Sequence, residues 1–143
     1  MKIGELARLA QCSVETVRYY EKAGLLPPPA RSDSNYRHYG DAHVARLRFI
    51  RNCRTLDMTH DETRALLELI DQPGNSCRGV NRVLDEHIAH VDMRIRELNQ
   101  LKQQLAALRQ SCHGEQPVIA CGIVQGLASM ETEARRERKT HLG

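Results

Sequence analysis

The first 24 residues repeat apolar positions with the period of two short helices. In the first stretch the apolar residues at helical spacing are Ile3, Leu6, Ala7 and Ala10. The segment QCS interrupts this pattern, and Ser13 is a favourable N-cap for VETVRYYEKAG, which Gly24 is expected to close. Helix, tight turn and helix predict a helix-turn-helix, although the pattern alone also fits an ordinary helical hairpin.

Three prolines in LLPPPARSDSNYRHYGD stop any helix, and NYRHY can form a short extended wing after the SDSN turn. Asp41 is then expected to cap a helix with apolar residues at Val44, Leu47, Ile50 and Cys53. Thr59 and Glu62 have the spacing of a capping box for one further helix. The prediction is therefore helical apart from a small β wing.

The longest periodic segment follows the linker DQPGNS and begins near Cys77. Its apolar stripe consists of Val80, Leu84, Ile88, Val91, Ile95, Leu98, Leu101, Leu105 and Leu108. The opposite face is charged and polar, which is typical of a coiled-coil seam. A helix of a monomeric bundle is the alternative, but no other long helix remains to cover the stripe, so a dimer is expected. The last residues, 129–143, lack an apolar period and are expected to be disordered.

Charge is distributed unevenly along the chain, whose formal net charge is +3. Residues 1–58 contain ten Lys/Arg against six Asp/Glu, whereas residues 59–143 contain eleven against twelve. A basic N-terminal part suggests a polyanionic partner. The C-terminal part has no aromatic residue, which disfavours a large drug-binding pocket there. Without a membrane-length apolar run or a signal peptide, the protein is expected in the cytosol, where cysteines are thiols or metal ligands.

Three of the five cysteines have positions that core packing does not explain. Cys112 follows Cys77 by 35 residues, and a helix of that length spans ~50 Å, so one chain cannot bring both to one ion. The loop HGEQPVIA can fold back and bring Cys112 to Cys121. Antiparallel packing of two long helices would place Cys77 of one chain beside Cys112 and Cys121 of the other. Three thiolates favour a soft or borderline ion.

The remaining candidate metal ligands are weaker. Cys12 in the tight turn and Cys53 on an apolar helix face are expected to be small core residues. His87 and His90 are one helical turn apart and could hold a second metal ion, although histidines on a dimer surface are the simpler interpretation. His113 is expected to be a solvated loop histidine.

The order of motifs in the first third resembles the DNA-binding domain of the MerR family of transcription regulators. The matching features are the helix-turn-helix, RYYEKAGLL, a proline, the NYRHY wing and the helix DAHVARLRFI. With the long helix and the terminal cysteines, the resemblance extends over roughly residues 1–128. The stretches FIRNCRTLDMT and SCRGVNRVLDEHIAHV resemble the cadmium- and lead-responsive branch. The implied fold is a winged helix-turn-helix with a long antiparallel coiled-coil dimerisation helix and a C-terminal metal-binding loop.

Residues of the second helix are the first candidates for DNA contact. Glu15, Arg18 and Tyr19 lie off the Val14–Val17 stripe and can face the major groove. Tyr20 is ambiguous, since the helical period places it inward whereas the resemblance implies a contact with the DNA backbone.

The wing and its surroundings supply the other DNA candidates. Tyr36 and Arg37 would form the wing tip, with Arg31 and Arg54 as further phosphate partners. Tyr39 is expected in the wing core.

The resemblance implies a homodimer on palindromic promoter DNA that distorts the DNA when metal binds, so that RNA polymerase can use an over-long promoter spacer. The expected effector is Cd(II) or Pb(II), with Hg(II) or Zn(II) compatible. In this family a serine at the first cysteine position marks sensors of monovalent ions, so Cys77 indicates divalent ions. Zinc sensors tend to have an extra thiol at the position that His113 occupies here.

Two other function classes fit the residues less well. A thiol redox regulator would use Cys112 and Cys121 as a disulfide pair. An enzyme would need a nucleophile, a base and an orienting group, and no such set is evident. The expected domains are 1–72, a winged helix-turn-helix; 73–111, a linker and dimerisation helix; 112–128, a metal-binding loop and short helix; and 129–143, a tail.

Overall fold

A computed structural model describes residues 1–31, 33, 37–74 and 76–131. Its elements in chain order are α1 (Ile3–Leu9), α2 (Val14–Lys22), β1 (Ala30–Arg31), β2 (Arg37–His38), α3 (Asp41–Thr55), α4 (His60–Ile70), α5 (Cys77–Gln110), a 3₁₀ turn (Val118–Ala120) and α6 (Gly122–Ser129). The predicted all-α class with a small β wing is confirmed. The chain forms two compact units, an N-terminal unit of Met1–Asp85 and a C-terminal unit of Glu86–Gly143.

The predicted helix-turn-helix is present at the start of the N-terminal unit. The Ser13 hydroxyl accepts a hydrogen bond from the amide of Thr16 at 3.1 Å, so the predicted N-cap of α2 is confirmed. Two residues after α2 ends, Gly24 has a φ of +76°, a conformation that glycine adopts without steric cost. The turn before α2 also passes through positive φ, at Gln11.

The core of the N-terminal unit joins α1, α2, α3, the wing and α4. Its buried residues are Leu6, Ala7, Ala10, Val17, Tyr20, Leu25, Leu26, Tyr39, Val44, Leu47, Ile50 and Leu67. Cys12 is half-buried against this cluster, and Cys53 is buried in a second cluster with Met58 and Leu66. Burial raises the pKa of both cysteine thiols. Both residues therefore belong to the core, as their positions in the pattern predict.

The first residues of the apolar stripe on α5 pack within their own chain, whereas the sequence pattern predicts that they belong to a coiled-coil seam. Val80 and Leu84 pack against the second cluster of their own chain, together with Val83. They are therefore core residues of the N-terminal unit, because the linker before α5 lets its first turns reach α3 and α4. The part of the stripe that remains exposed begins at Ile88.

The caps of α3 and α4 differ in how well the sequence predicts them. Asp41 is not the N-cap of α3; it is the first helical residue, and Gly40 precedes it in extended conformation. The His43 ring accepts a hydrogen bond from the Gly40 amide at 3.1 Å. The capping box of α4 is confirmed, since Thr59 and Glu62 exchange bonds of 2.8 and 3.1 Å between side chain and amide.

The wing is a two-stranded antiparallel sheet in which Ala30 pairs with His38. The predicted wing-core residue Tyr39 is buried, and its hydroxyl donates to the carboxylate of Glu21 on α2. The amide of Tyr39 also donates to the carbonyl of Met1 at 2.9 Å. The base of the wing is therefore fixed to α2 and to the N-terminal residue that precedes α1.

The C-terminal unit contains most of α5, the 3₁₀ turn and α6. On α5 the large apolar residues that remain exposed are Ile88, Met93, Ile95, Leu98 and Leu105. None of the helices in the described ranges is both long and apolar enough to pass through a bilayer.

Thr59→Ala should lower the free energy of unfolding by about 1 kcal/mol, because the amide of Glu62 loses its hydroxyl acceptor. Urea denaturation at one fixed protein concentration measures this change. Thr55→Ala is the matched control: its hydroxyl bonds only to the carbonyl of Arg51 within an exposed helical turn, and it should change stability by less than about 0.5 kcal/mol. Equal effects for the two variants would contradict the stabilising role of the capping box.

Candidate DNA-binding surface and thiol site

The outer face of α2 presents the predicted DNA-contacting residues. Glu15, Arg18 and Tyr19 are exposed, and Tyr19 is 53% accessible. Tyr20 is only 8% exposed, which agrees with its helical period, and burial raises the pKa of its hydroxyl. Glu15, Arg18 and Tyr19 can therefore contact a ligand together, whereas Tyr20 packs into the core beneath α2.

An open cleft of about 980 Å³ lies beside α2 in the N-terminal unit. Its lining residues are Lys2, Ile3, Arg18, Glu21, Lys22, Pro28, Pro29 and Arg31. Four of these are cationic, and the carboxylate of Glu21 accepts the hydroxyl of Tyr39. Arg18 and Arg31, predicted separately as DNA contacts, therefore line one cationic concave surface that suits phosphate groups.

The other predicted DNA contacts have different surroundings. Arg54 is half-buried and donates to the carbonyl of Met58, so it also stabilises the turn between α3 and α4. Tyr36 lies outside the described residues. Arg37 is described as part of β2, but its side chain is not. Contact with DNA stays a prediction for each of them.

His60 is a polar neighbour of Tyr19 that the sequence pattern does not indicate. The Tyr19 hydroxyl lies 3.4 Å from the His60 Nδ1, and the two ring centroids are 5.6 Å apart. The two residues are 41 positions apart in the chain, and no local period connects them. Only the folded arrangement of α2 and α4 brings them together.

Cys112 and Cys121 meet in the C-terminal unit. Cys112 lies two residues after α5 ends, and Cys121 is the N-cap of α6. The two thiols are close enough for each to shift the pKa of the other. The predicted return of the loop is therefore present, although metal binding by these thiols stays a prediction.

The two thiols differ in acidity. The amides of Val124 and Ile123 donate to Cys121 at the start of α6 and lower the pKa of its thiol. The neighbouring Cys121 raises the pKa of Cys112, and the Cys112 Sγ donates to the carbonyl of Gly114 at 3.8 Å. The positive charge of Arg109 lowers the pKa of both thiols. Cys121 is therefore the more acidic thiol of the pair.

Two glycines allow α6 to approach the end of α5. A Cβ added at Gly122 would lie 2.2 Å from the carbonyl oxygen of Ser111, whereas one at Gly126 would meet only the flexible end of Leu108 at 3.0 Å. Gly122 follows Cys121 directly and Ser111 precedes Cys112. The close backbone approach therefore brings the two thiols together, a role that sequence reasoning missed although the GxxxG spacing was visible.

The remaining candidate ligands lie elsewhere. Cys77 is exposed as the first residue of α5 and belongs to the N-terminal unit. His87 and His90 lie one turn apart on α5, as predicted. His90 is exposed, but His87 is buried, so the expectation of a surface histidine is wrong for His87. His113 lies in the loop directly after Cys112 and is exposed.

The helix-turn-helix, the wing joined to it and the cationic cleft beside α2 define a winged helix-turn-helix DNA-binding protein. Two family models match the chain: "MerR HTH family regulatory protein" over residues 1–70 and "MerR, DNA binding" over residues 44–108. The chain belongs to the MerR family of transcription regulators, among its heavy-metal-responsive members.

Individual relatives are similar over most of their length. The ZntR homolog of Haemophilus influenzae, an HTH-type transcriptional regulator, is 48% identical over 77% of this chain and 82% of its own. Heavy metal-dependent transcription regulator 2 of Rhizobium meliloti is 32% identical over 100% of this chain and 97% of its own. The protein in the crystal structure of the transcription regulator PbrR691 from Ralstonia metallidurans CH34 in complex with lead(II) is 50% identical in sequence to this chain. It covers 89% of this chain and 98% of its own, with a TM-score of 0.80.

Gly122→Ala should weaken metal binding by about tenfold or more, since the new methyl group must displace the backbone at Ser111 and separate the thiols. Gly126→Ala is the matched control, because the Leu108 side chain can rotate away, and its affinity should stay within about threefold. Competition titration with a metal chelator measures both affinities. Tight binding by Gly122→Ala would show that the close backbone contact is not needed.

Proposed function

We propose that the protein is a homodimeric transcription regulator that binds a palindromic promoter and activates metal-resistance genes in response to a soft divalent ion. Cd(II) or Pb(II) is the proposed effector, with Hg(II) and Zn(II) compatible. Its partners would be promoter DNA and RNA polymerase, and its place of action the cytoplasm. The observation that carries the proposal is the close approach of Cys112 to Cys121, the N-cap residue of α6, which lets each thiol shift the pKa of the other.

The chemistry of this pair fits a soft ion. Thiolates, not thiols, bind metal, and the amides of Ile123 and Val124 favour the ionised form of Cys121 before any ion arrives. Binding of the ion would displace the remaining thiol protons, so affinity should depend on pH. Sulfur ligands favour soft and borderline ions over Mg(II) or Ca(II).

A third thiolate would come from Cys77 of the second subunit. Because α5 has 34 residues, it is ~50 Å long, and Cys77 and Cys112 of one chain lie near its opposite ends. An antiparallel partner helix would cover the exposed stripe that begins at Ile88 and would deliver Cys77 to the other subunit's thiol pair. The same partner can shelter the loop, where Ile119 is 86% exposed.

The proposed effector follows from the sulfur ligands of the site and from a similar solved structure. The similar PbrR691 structure is a complex with lead(II), and three sulfur donors suit Pb(II), Cd(II) or Hg(II). Cys77, where the family's sensors of monovalent ions have serine, favours a divalent ion. His113 instead of a further thiol makes Zn(II) the weaker candidate, and His87 with His90 would be an accessory site at most.

Activation would require two arrangements of the DNA-binding units on the α5 pair. Residues 1–72 would hold the promoter, 73–111 would connect and dimerise, 112–128 would hold the ion, and 129–143 would be a tail. The promoter contacts would come from α2, the wing and Arg54. The ion shifts the equilibrium only by the difference between its affinities for the activating and repressing arrangements.

A thiol redox regulator is the second candidate, favoured by the same contact. The two neighbouring thiols can form the Cys112–Cys121 disulfide when an oxidant accepts two electrons and both thiol protons are released. This alternative requires a transcription response to oxidant in the absence of metal. It assigns no role to Cys77.

In vitro transcription from the cognate promoter should rise with Cd(II) or Pb(II), and Cys77→Ser should abolish that response while leaving DNA binding intact. Cys53→Ala, which removes a buried thiol that is not among the proposed ligands, is the control and should keep the response. Activation by oxidant alone would favour the redox regulator. Unchanged metal activation in Cys77→Ser would overturn the proposed shared site.

Promoter affinity should fall steeply as salt concentration rises, because cationic side chains displace ions condensed on DNA. Arg18→Ala should weaken binding and reduce the slope of log affinity against log salt by about 1. Arg96→Ala removes the same charge from an exposed position on α5 and serves as the control. An unchanged slope in Arg18→Ala would remove Arg18 from the set of phosphate contacts.

A further inference from the structure

We propose that His60 is a positioning residue that orients the Tyr19 hydroxyl for donation to a DNA phosphate. The inference rests on the proposed function, in which Tyr19 contacts DNA, and adds a residue from α4 to that surface. The Tyr19 hydroxyl oxygen is 3.4 Å from the His60 Nδ1, and the phenol ring remains half exposed.

Three rings from two helices hold this arrangement. The ring centroids of Tyr19 and Tyr20 are 5.5 Å apart, and that of His60 lies 5.6 Å from Tyr19 and 6.3 Å from Tyr20. Tyr20 is buried and provides a fixed base for the other two rings. Edge and tilted contacts at these separations are favourable for aromatic side chains. The phenol of Tyr19 is therefore confined before DNA arrives.

The backbone around His60 is equally constrained. His60 is the first residue of α4 and follows the capping box that Thr59 and Glu62 form. Arg64, one turn later, donates to the carbonyl of Ala23 at the end of α2, at 2.9 Å. The two helices that carry Tyr19 and His60 are therefore joined directly, and the hydrogen bond between them needs little further ordering.

The proton count decides the direction of this hydrogen bond. A phenol has one proton, so Tyr19 can donate to a phosphate oxygen only if it accepts a hydrogen bond from His60 rather than giving one. Nδ1 of His60 must then carry a proton, in the neutral Nδ1–H tautomer or in the imidazolium. With Nδ1 bare, the phenol proton points at the ring and the hydroxyl lone pairs face the phosphate, which is repulsive. DNA contact therefore selects the donating form of His60.

Substitutions at position 60 separate this role from simple packing. The amide nitrogen of asparagine can occupy the place of Nδ1 and donate to Tyr19, whereas that of glutamine reaches further, towards the place of Nε2. Leucine fills space but donates nothing. All three residues are tolerated in the first turn of a helix at small cost.

Affinity should be measured for the tightest duplex that the wild-type protein selects from a randomised DNA pool. Tyr19→Phe and His60→Leu should each weaken binding by about fivefold, the usual net effect of one lost hydrogen bond. The double variant should be no weaker than either single one. His60→Asn should stay within about twofold of wild type, while His60→Gln should resemble His60→Leu. Thermal melting of each variant confirms that it is folded, and His60→Gln replaces His60→Leu if the latter is not.

Additive losses in the double variant, or equal losses for His60→Asn and His60→Leu, would overturn the positioning role. Wild-type affinity in Tyr19→Phe would overturn it as well. Each of these results leaves open whether transcription responds to metal, so this inference can fail while the proposed function stands. If metal-dependent transcription is lost while Tyr19 and His60 remain coupled, the metal-responsive function fails and the positioning role of His60 stands.

Discussion

An α-helix rises about 1.5 Å per residue and cannot fold back on itself. In this protein α5 runs without a break from Cys77 to Gln110, and the three thiols of the proposed site are divided between its two ends. The stiffness of this helix therefore determines how the site can be built. A chain with a flexible connection could gather its own cysteines, whereas the proposed site would require a second copy. Dimerisation and effector binding would then be a single structural requirement, and the exposed apolar stripe on α5 could supply the dimer surface.

The close contact between α6 and the C-terminal end of α5 brings two of the thiols of the proposed site together. Gly122 lets the backbone of α6 approach Ser111, which places Cys121 at a helix N-terminus and beside Cys112. The amides of α6 stabilise negative charge on Cys121 in the same way that helix N-termini stabilise other anions. The pKa of Cys121 is therefore lowered while that of Cys112 is raised, and the pair could react with either a soft cation or an oxidant. A requirement for Cys77 would distinguish metal binding from disulfide formation.

Local chemistry made part of the fold predictable from the sequence. Ser13 and the Thr59 capping box act within one helical turn, and both were correctly predicted. Asp41 was misplaced by one residue, because Gly40 has an extended conformation and the carboxylate is equally acceptable in the first turn. The contacts of Val80 and Leu84 were missed because a heptad stripe does not reveal which of its members pack within the chain. Gly122 and His60 depend on contacts between elements, which no local period encodes.

The sharing of a site between subunits can be tested most directly with mixed dimers. One subunit would carry Cys77→Ser and the other Cys112→Ser with Cys121→Ser, and differently tagged copies would allow the heterodimer to be isolated. Neither variant homodimer should bind Cd(II) or Pb(II) tightly. The heterodimer should bind one ion per dimer with wild-type affinity, because the intact Cys77 of one subunit meets the intact Cys112 and Cys121 of the other. A heterodimer that binds no ion tightly, or a Cys77→Ser homodimer that binds with wild-type affinity, would contradict the account.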